Sequence, residues 1–171
     1  MDNPSPAEFS TQFPDEQLRT IQIICGALNL GLILFLGVIF TLSILQEPIA
    51  DSGFNYDIIL IVTAIAVLGS ILAYPLSVTL FNNKLRSSTS AESFQKNLMM
   101  AYILRLAVLE GAAFVGLTAL LLAVLDSSLF DHLFYWVNLL PLFVMILVTV
   151  TNFPTRDYIR QLYEVHFYYS K

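Results

Sequence analysis

The sequence predicts an all-α membrane protein: four transmembrane helices as two hairpins, then a short C-terminal amphipathic helix, in a single domain over 1–171. Three observations predict it. Of the residues, 57% are hydrophobic and 12% charged, whereas soluble domains run near a quarter charged. Mean hydropathy is +0.73. Four apolar stretches reach the roughly 20 residues that a spanning helix needs. The same figures argue against a water-soluble enzyme. Cys25 stands alone, so no disulfide scaffold is expected. A net charge of -5 leaves no basic field for phosphates, so no nucleic-acid partner is expected either.

Residues 1–13, acidic and proline-rich, read as a flexible N-terminal tail. The opening lacks the basic start of a cleavable signal. Pro14, Asp15 and Glu16 mark a helix start, with proline at the first position and acids near the positive dipole end. The spans follow as Ile21–Leu45, Ile58–Phe81, Leu98–Leu125 and Phe130–Val150. The third carries Arg105 and Glu110 well inside its apolar run, whereas Asp131 stands at the very start of the fourth and the first two have no charge. Past Phe153-Pro154-Thr155, Ile159, Leu162, Tyr163 and Phe167 recur at helical spacing against Arg156, Arg160 and Glu164. Residues 152–171 are therefore expected to lie on the membrane surface or to dock on a partner's cytoplasmic face.

Basic residues set the orientation. Arg19, Lys84, Arg86, Lys96, Arg156, Arg160 and Lys171 all fall on one side of the spans. The segments holding Glu47, Asp51 and Asp57, and Asp126 and Asp131, have none. Both termini are expected in the cytoplasm. Phe130, Phe134, Tyr135 and Trp136 suit the outer interface. Displacing the chain by 79 places sets Ile24 on Ile103, Leu30 on Leu109, Phe35 on Phe114, Gly37 on Gly116 and Pro75 on Pro154. That pattern points to a duplicated two-helix unit, with Gly31 in the place of Glu110.

Glu110 is the leading candidate for chemistry. A charge at mid-span costs about 2.5–3.5 kcal/mol on insertion scales, so such a residue is expected to face protein or water. It reads either as an ion or proton site, or as a structural hydrogen bond between helices. Ser70 and Asn29 lie at depths that make them candidate neighbours. Arg105 is not its natural partner, because five residues place it about 140° round the helix. Arg105 shares a face instead with Ala101, Ala112, Gly116 and Ala119, a stripe expected to pack helices or a partner subunit. Its charge is expected to snorkel to the headgroups, to pair with a partner's carboxylate, or to act in gating. His132 and His166 fall on opposite sides of the bilayer, so neither a metal site nor haem ligation is expected. No catalytic set and no cofactor motif is present.

The stretch SAESFQKNLMMAYILRLAVLEGAAFVGLTALLLAV, Ser90 to Val124, resembles the carboxylate-bearing helix of ATP synthase proteolipid (c) subunits. The matching core is Ala107-Val108-Leu109-Glu110-Gly111-Ala112-Ala113. The resemblance implies that Glu110 takes the place of the ion-carrying carboxylate. It does not extend to the preceding helix, which has Ala64, Ala66, Gly69 and Ala73 in place of alternating glycines. The loop NNKLRSSTSAESFQK likewise lacks an Arg-Gln-Pro turn. Arg105, Glu110-Gly111 and the late Pro154 together also resemble small four-helix bacterial membrane proteins of unassigned function, which implies a bacterial inner membrane.

Two functions follow as expectations. The first is a non-catalytic accessory or structural subunit of a larger membrane complex, given small size, tiny loops and no catalytic set. The alternative is a proton- or ion-handling protein built on Glu110. Membrane lipid, and either other membrane subunits or further copies of this chain, are the expected partners.

Overall fold

The computed structural model describes residues 4–45 and 56–169. Glu47 and Asp51 of the acidic loop, and Lys171, lie outside the described residues. Seven helical elements carry the fold: α1 (Pro6–Gln12), α2 (Asp15–Leu45), α3 (Tyr56–Arg86), α4 (Ala91–Leu125), a 3₁₀ segment (Leu133–Leu139), α5 (Leu140–Thr151) and α6 (Arg156–Glu164). A π-helical turn, Val165–Tyr169, follows. Among the described residues, four runs are long and apolar enough to cross a membrane: α2, α3, α4 and Leu133–Thr151. The chain is an integral membrane protein by that criterion.

Local sequence explains most boundaries. Ser90 caps α4, its hydroxyl accepting from the Ser93 amide at 3.2 Å. At the other end of α4, Ser127 adopts φ 57° in the left-handed region. Its amide donates to the Val124 carbonyl and the Ser128 amide to the Ala123 carbonyl, a Schellman closure. The fourth span is composite. Twelve α-helical residues rise only about 18 Å, and the seven 3₁₀ residues add about 14 Å. The looser winding brings the run to the hydrocarbon thickness of about 30 Å.

Helix α4 is the hub and the most buried of the spans. Helix α3 packs along it, and α2 and α5 lean on it from other sides. The tightest packing therefore crosses from one expected hairpin to the other. One core cluster gathers Leu32, Ile39, Leu109, Leu117, Leu120 and Met145. A second, at the end bearing both termini, gathers Phe9, Phe13, Phe94, Leu98, Ile159 and Tyr163. Displaced by 79 positions, α2 falls on α4 and α3 on the run Leu133–Glu164, within three residues at every end. Pro75 sits inside a continuous α3, whereas Pro154 lies in the break between α5 and α6.

One expectation needs correction, and a second gains detail. Within 1–13, expected as a loose tail, residues 6–12 form α1. Ser5 and Glu8 close a capping box and proline opens the helix. Phe9 stacks on Tyr163 with centroids 4.0 Å apart and meets Phe94 edge-on. The C-terminal tail, expected at the membrane surface or on a partner's cytoplasmic face, packs part of its apolar side on its own chain and leaves Val165, Tyr168 and Tyr169 exposed. The packed part meets α1 and α4, with Ile159 and Tyr163 fully buried. Arg156 pairs with Asp15 and donates to the Ser10 carbonyl, and Tyr163 Oη donates to the Pro4 carbonyl at 3.1 Å.

Candidate functional site

Arg105 lies inside the bundle, 7% exposed. The chain's own helices enclose it. Its guanidinium carbon stands 5.2 Å from the Phe81 ring centroid, a cation–π contact with α3. The Tyr158 hydroxyl lies beside it and donates onward to Asn152 Oδ1 at 2.7 Å. Tyr102 Oη donates to the Asn152 carbonyl at 3.1 Å. Gln22 Nε2 donates to the Pro154 carbonyl at 2.8 Å. These bonds clamp the break between α5 and α6 to α2 and α4. No carboxylate pairs with Arg105 among the described residues. Its charge is met by an aromatic face, a phenol oxygen and the last turn of α5, where a helix end carries partial negative charge. Val148, Thr149 and Asn152 of that end line a cavity of about 10 Å³ with Arg105, Cys25 and Tyr102. Burial pushes the Tyr158 phenol above its ordinary range, with the Arg105 charge opposing.

The stripe around Arg105 is likewise spent within the chain. Ala101 and Ala119 are fully buried, Gly116 is buried and Ala112 is half-buried. Gly116 is where absence of a side chain matters most. A Cβ there would stand 2.3 Å from the Asn138 carbonyl oxygen and 3.1 Å from Pro141 Cγ. The expected docking of a partner on this stripe gives way to the 3₁₀ segment and α5, because the chain's own fourth span occupies it.

Glu110 has a different setting. It is half-buried and forms no hydrogen bond or ion pair among the described residues. The proposed neighbours are not brought to it. Ser70 Oγ donates to Ala66 of its own helix at 2.6 Å. Asn29 Nδ2 donates to the Cys25 carbonyl at 2.8 Å and to Thr149 Oγ1 of α5 at 3.1 Å. What does adjoin Glu110 follows from register. Gln95 bonds Gln17 at 2.9 Å, and Phe114 stacks on Phe35 at 5.6 Å. The two contacts advance together, so α2 and α4 run parallel. Gly31 stands one turn before Phe35 and Glu110 one turn before Phe114, at one level on facing sides of the seam. A Cβ on Gly31 or on Gly111 would meet nothing within 4 Å. The carboxyl thus stands at mid-span between two exposed glycines, Gly31 across the seam and Gly111 beside it in sequence.

A further polar pair escaped the sequence reading. Asn138 Nδ2 donates to Thr63 Oγ1 at 3.1 Å and to the Tyr135 carbonyl at 3.0 Å, tying the 3₁₀ segment to α3. An asparagine inside the apolar run 133–150 was its signal. Among the described residues, no three His, Cys, Asp or Glu side chains group as a metal site would require. No known protein family, no characterised protein and no solved structure matches this chain.

Proposed function

We propose that the protein is a non-catalytic accessory subunit of a membrane complex, and that a helix of another subunit packs on the α2–α4 seam and completes the bonding of Glu110. One observation carries this: a mid-span carboxyl without a partner in its own chain, beside the open glycines Gly31 and Gly111. In hydrocarbon such a group needs a donor from elsewhere, and small residues let a second backbone approach closely. The basic residues gathered at the end bearing both termini support a cytoplasmic location for that end. The resemblance to small bacterial proteins supports the inner membrane.

The test is mild detergent extraction and identification of co-purifying chains. A partner is expected with the wild type, released by Glu110→Leu and by Gly31→Leu, and retained by Glu110→Gln, which still hydrogen-bonds. Recovery of a lone monomer under gentle conditions would sink the proposal. A second reading, proton or ion handling, is favoured by the match of Glu110 to the proteolipid carboxylate. It predicts that Glu110→Gln preserves assembly yet abolishes ion flux, and that a hydrophobic carbodiimide labels Glu110.

A further inference from the structure

At the end bearing both termini, α3 and α6 enclose a cleft of about 190 Å³, lined by Asn82, Leu85, Arg86, Leu162, Val165 and His166. Arg86 and Asn82 are exposed and bond to nothing among the described residues. His166 is pinned, its Nε2 donating to the Ser88 carbonyl at 3.0 Å, and forms a fixed wall. Leu85 is buried, and Val165 is an exposed apolar residue. The cleft therefore pairs an unpartnered guanidinium and amide with an apolar floor.

Its depth is set by α3. The span Asp57–Arg86 holds 30 residues, about 45 Å of helix. A bilayer with its headgroups measures about 40–45 Å. Arg86 thus stands at headgroup level, where the exposed rings of Tyr168 and Tyr169 also lie close in sequence to the cleft wall. The geometry points to a binding site for the phosphate of an anionic phospholipid, held by Arg86 and Asn82 with its glycerol region against Leu162 and Val165. A guanidinium gives a phosphate two parallel charge-assisted bonds, and Asn82 Nδ2 adds a third donor. The site is independent of Glu110 and of the α2–α4 seam.

Native mass spectrometry of the full-length protein in detergent tests it, with dioleoyl phosphatidylglycerol, dioleoyl phosphatidylcholine and inorganic phosphate as separate probes. Phosphatidylglycerol is expected to bind the wild type and to weaken about fivefold or more in Arg86→Gln, with a smaller loss in Asn82→Leu. Phosphatidylcholine is expected to bind weakly and alike in all three. Both substituted side chains are exposed, and an unchanged thermal midpoint verifies folding. Equal phosphatidylglycerol binding by wild type and Arg86→Gln overturns the proposal. Arg86-dependent binding of inorganic phosphate as tight as that of the lipid overturns the lipid and makes the ligand a soluble phosphate compound.

Discussion

Helices α2 and α4 differ by four residues in length, 31 against 35, and run parallel across the same thickness. Displaced by 79 positions, Gly37 of α2 falls on Gly116 of α4, and Gly31 falls on Glu110. Their surroundings are opposite. Gly116 is jammed against the Asn138 carbonyl, while Gly37 has open space where a Cβ would stand. Helix α2 turns Ile23, Leu30, Leu34 and Ile44 outward, whereas α4 is enclosed on three sides. The lesson is that a small residue in an apolar helix has no role of its own. Its role comes from whichever backbone arrives beside it, and only α4 receives one from this chain.

The sharpest way to break this comparison is Gly116→Ala. Backbone and proline ring cannot yield as a flexible side chain would, so a loss of about 3 kcal/mol is expected. A thermal midpoint in detergent equal to wild type would show that the α4–α5 contact is loose. Next comes Phe9→Ala, which strips the roof from the first turns of α4. The lost stacking on Tyr163 and the void left beside Phe94 are expected to cost about 3 kcal/mol. Limited proteolysis should then cut within α1, and wild-type resistance there would contradict the docking.

Tyr158→Phe sharpens the account of how α4 holds the α5–α6 break. Loss of the bond to Asn152 is expected to cost about 1 kcal/mol at neutral pH. The sign with pH follows from burial, which raises the phenol's folded pKa above its unfolded value. Its contribution is intact below about pH 10 and fades as pH climbs through the folded value. The variant should therefore lose less stability than wild type above that pH, and parallel alkaline melts would refute the assignment. The smallest effect is expected at Gly37→Ala, a gain of about 0.5–1 kcal/mol from helix propensity with nothing to strike. A loss there instead would reveal a neighbour on α2's outer face.

Much of the fold was legible because its signals are local. Apolar length marked the spans, and Pro14-Asp15-Glu16 marked the start of α2. The capping box at Ser5 and Glu8, with Pro6 between them and Phe9 and Phe13 one turn apart, is an equally local signal, but in so short a segment it does not by itself specify a helix. Seven residues make a helix only when something covers their apolar face, and the cover here is Tyr163, far along the chain. The site was less legible. The wheel separated Arg105 from Glu110, but nothing local to Arg105 told whether lipid, a partner or the chain's own α5 faced it. Depth alone nominated Ser70 and Asn29 as neighbours of Glu110. Each bonds elsewhere, Ser70 to its own helix and Asn29 to its own helix and Thr149.

By itself the sequence determined four apolar spans, the start of the first at Pro14-Asp15-Glu16, the gathering of basic residues at one end and the presence of an acid at mid-span. Those follow from hydrophobic length, helix-start chemistry and charge order, which act over a few residues. Tertiary structure decided that Gly116 is closed and Gly31 open, that Arg105 is buried against a ring, a phenol and a helix end, and that both tails fold on each other. Each of those depends on which helix stands opposite, and in hydrocarbon every face of an apolar helix offers nearly the same invitation until another backbone fits it.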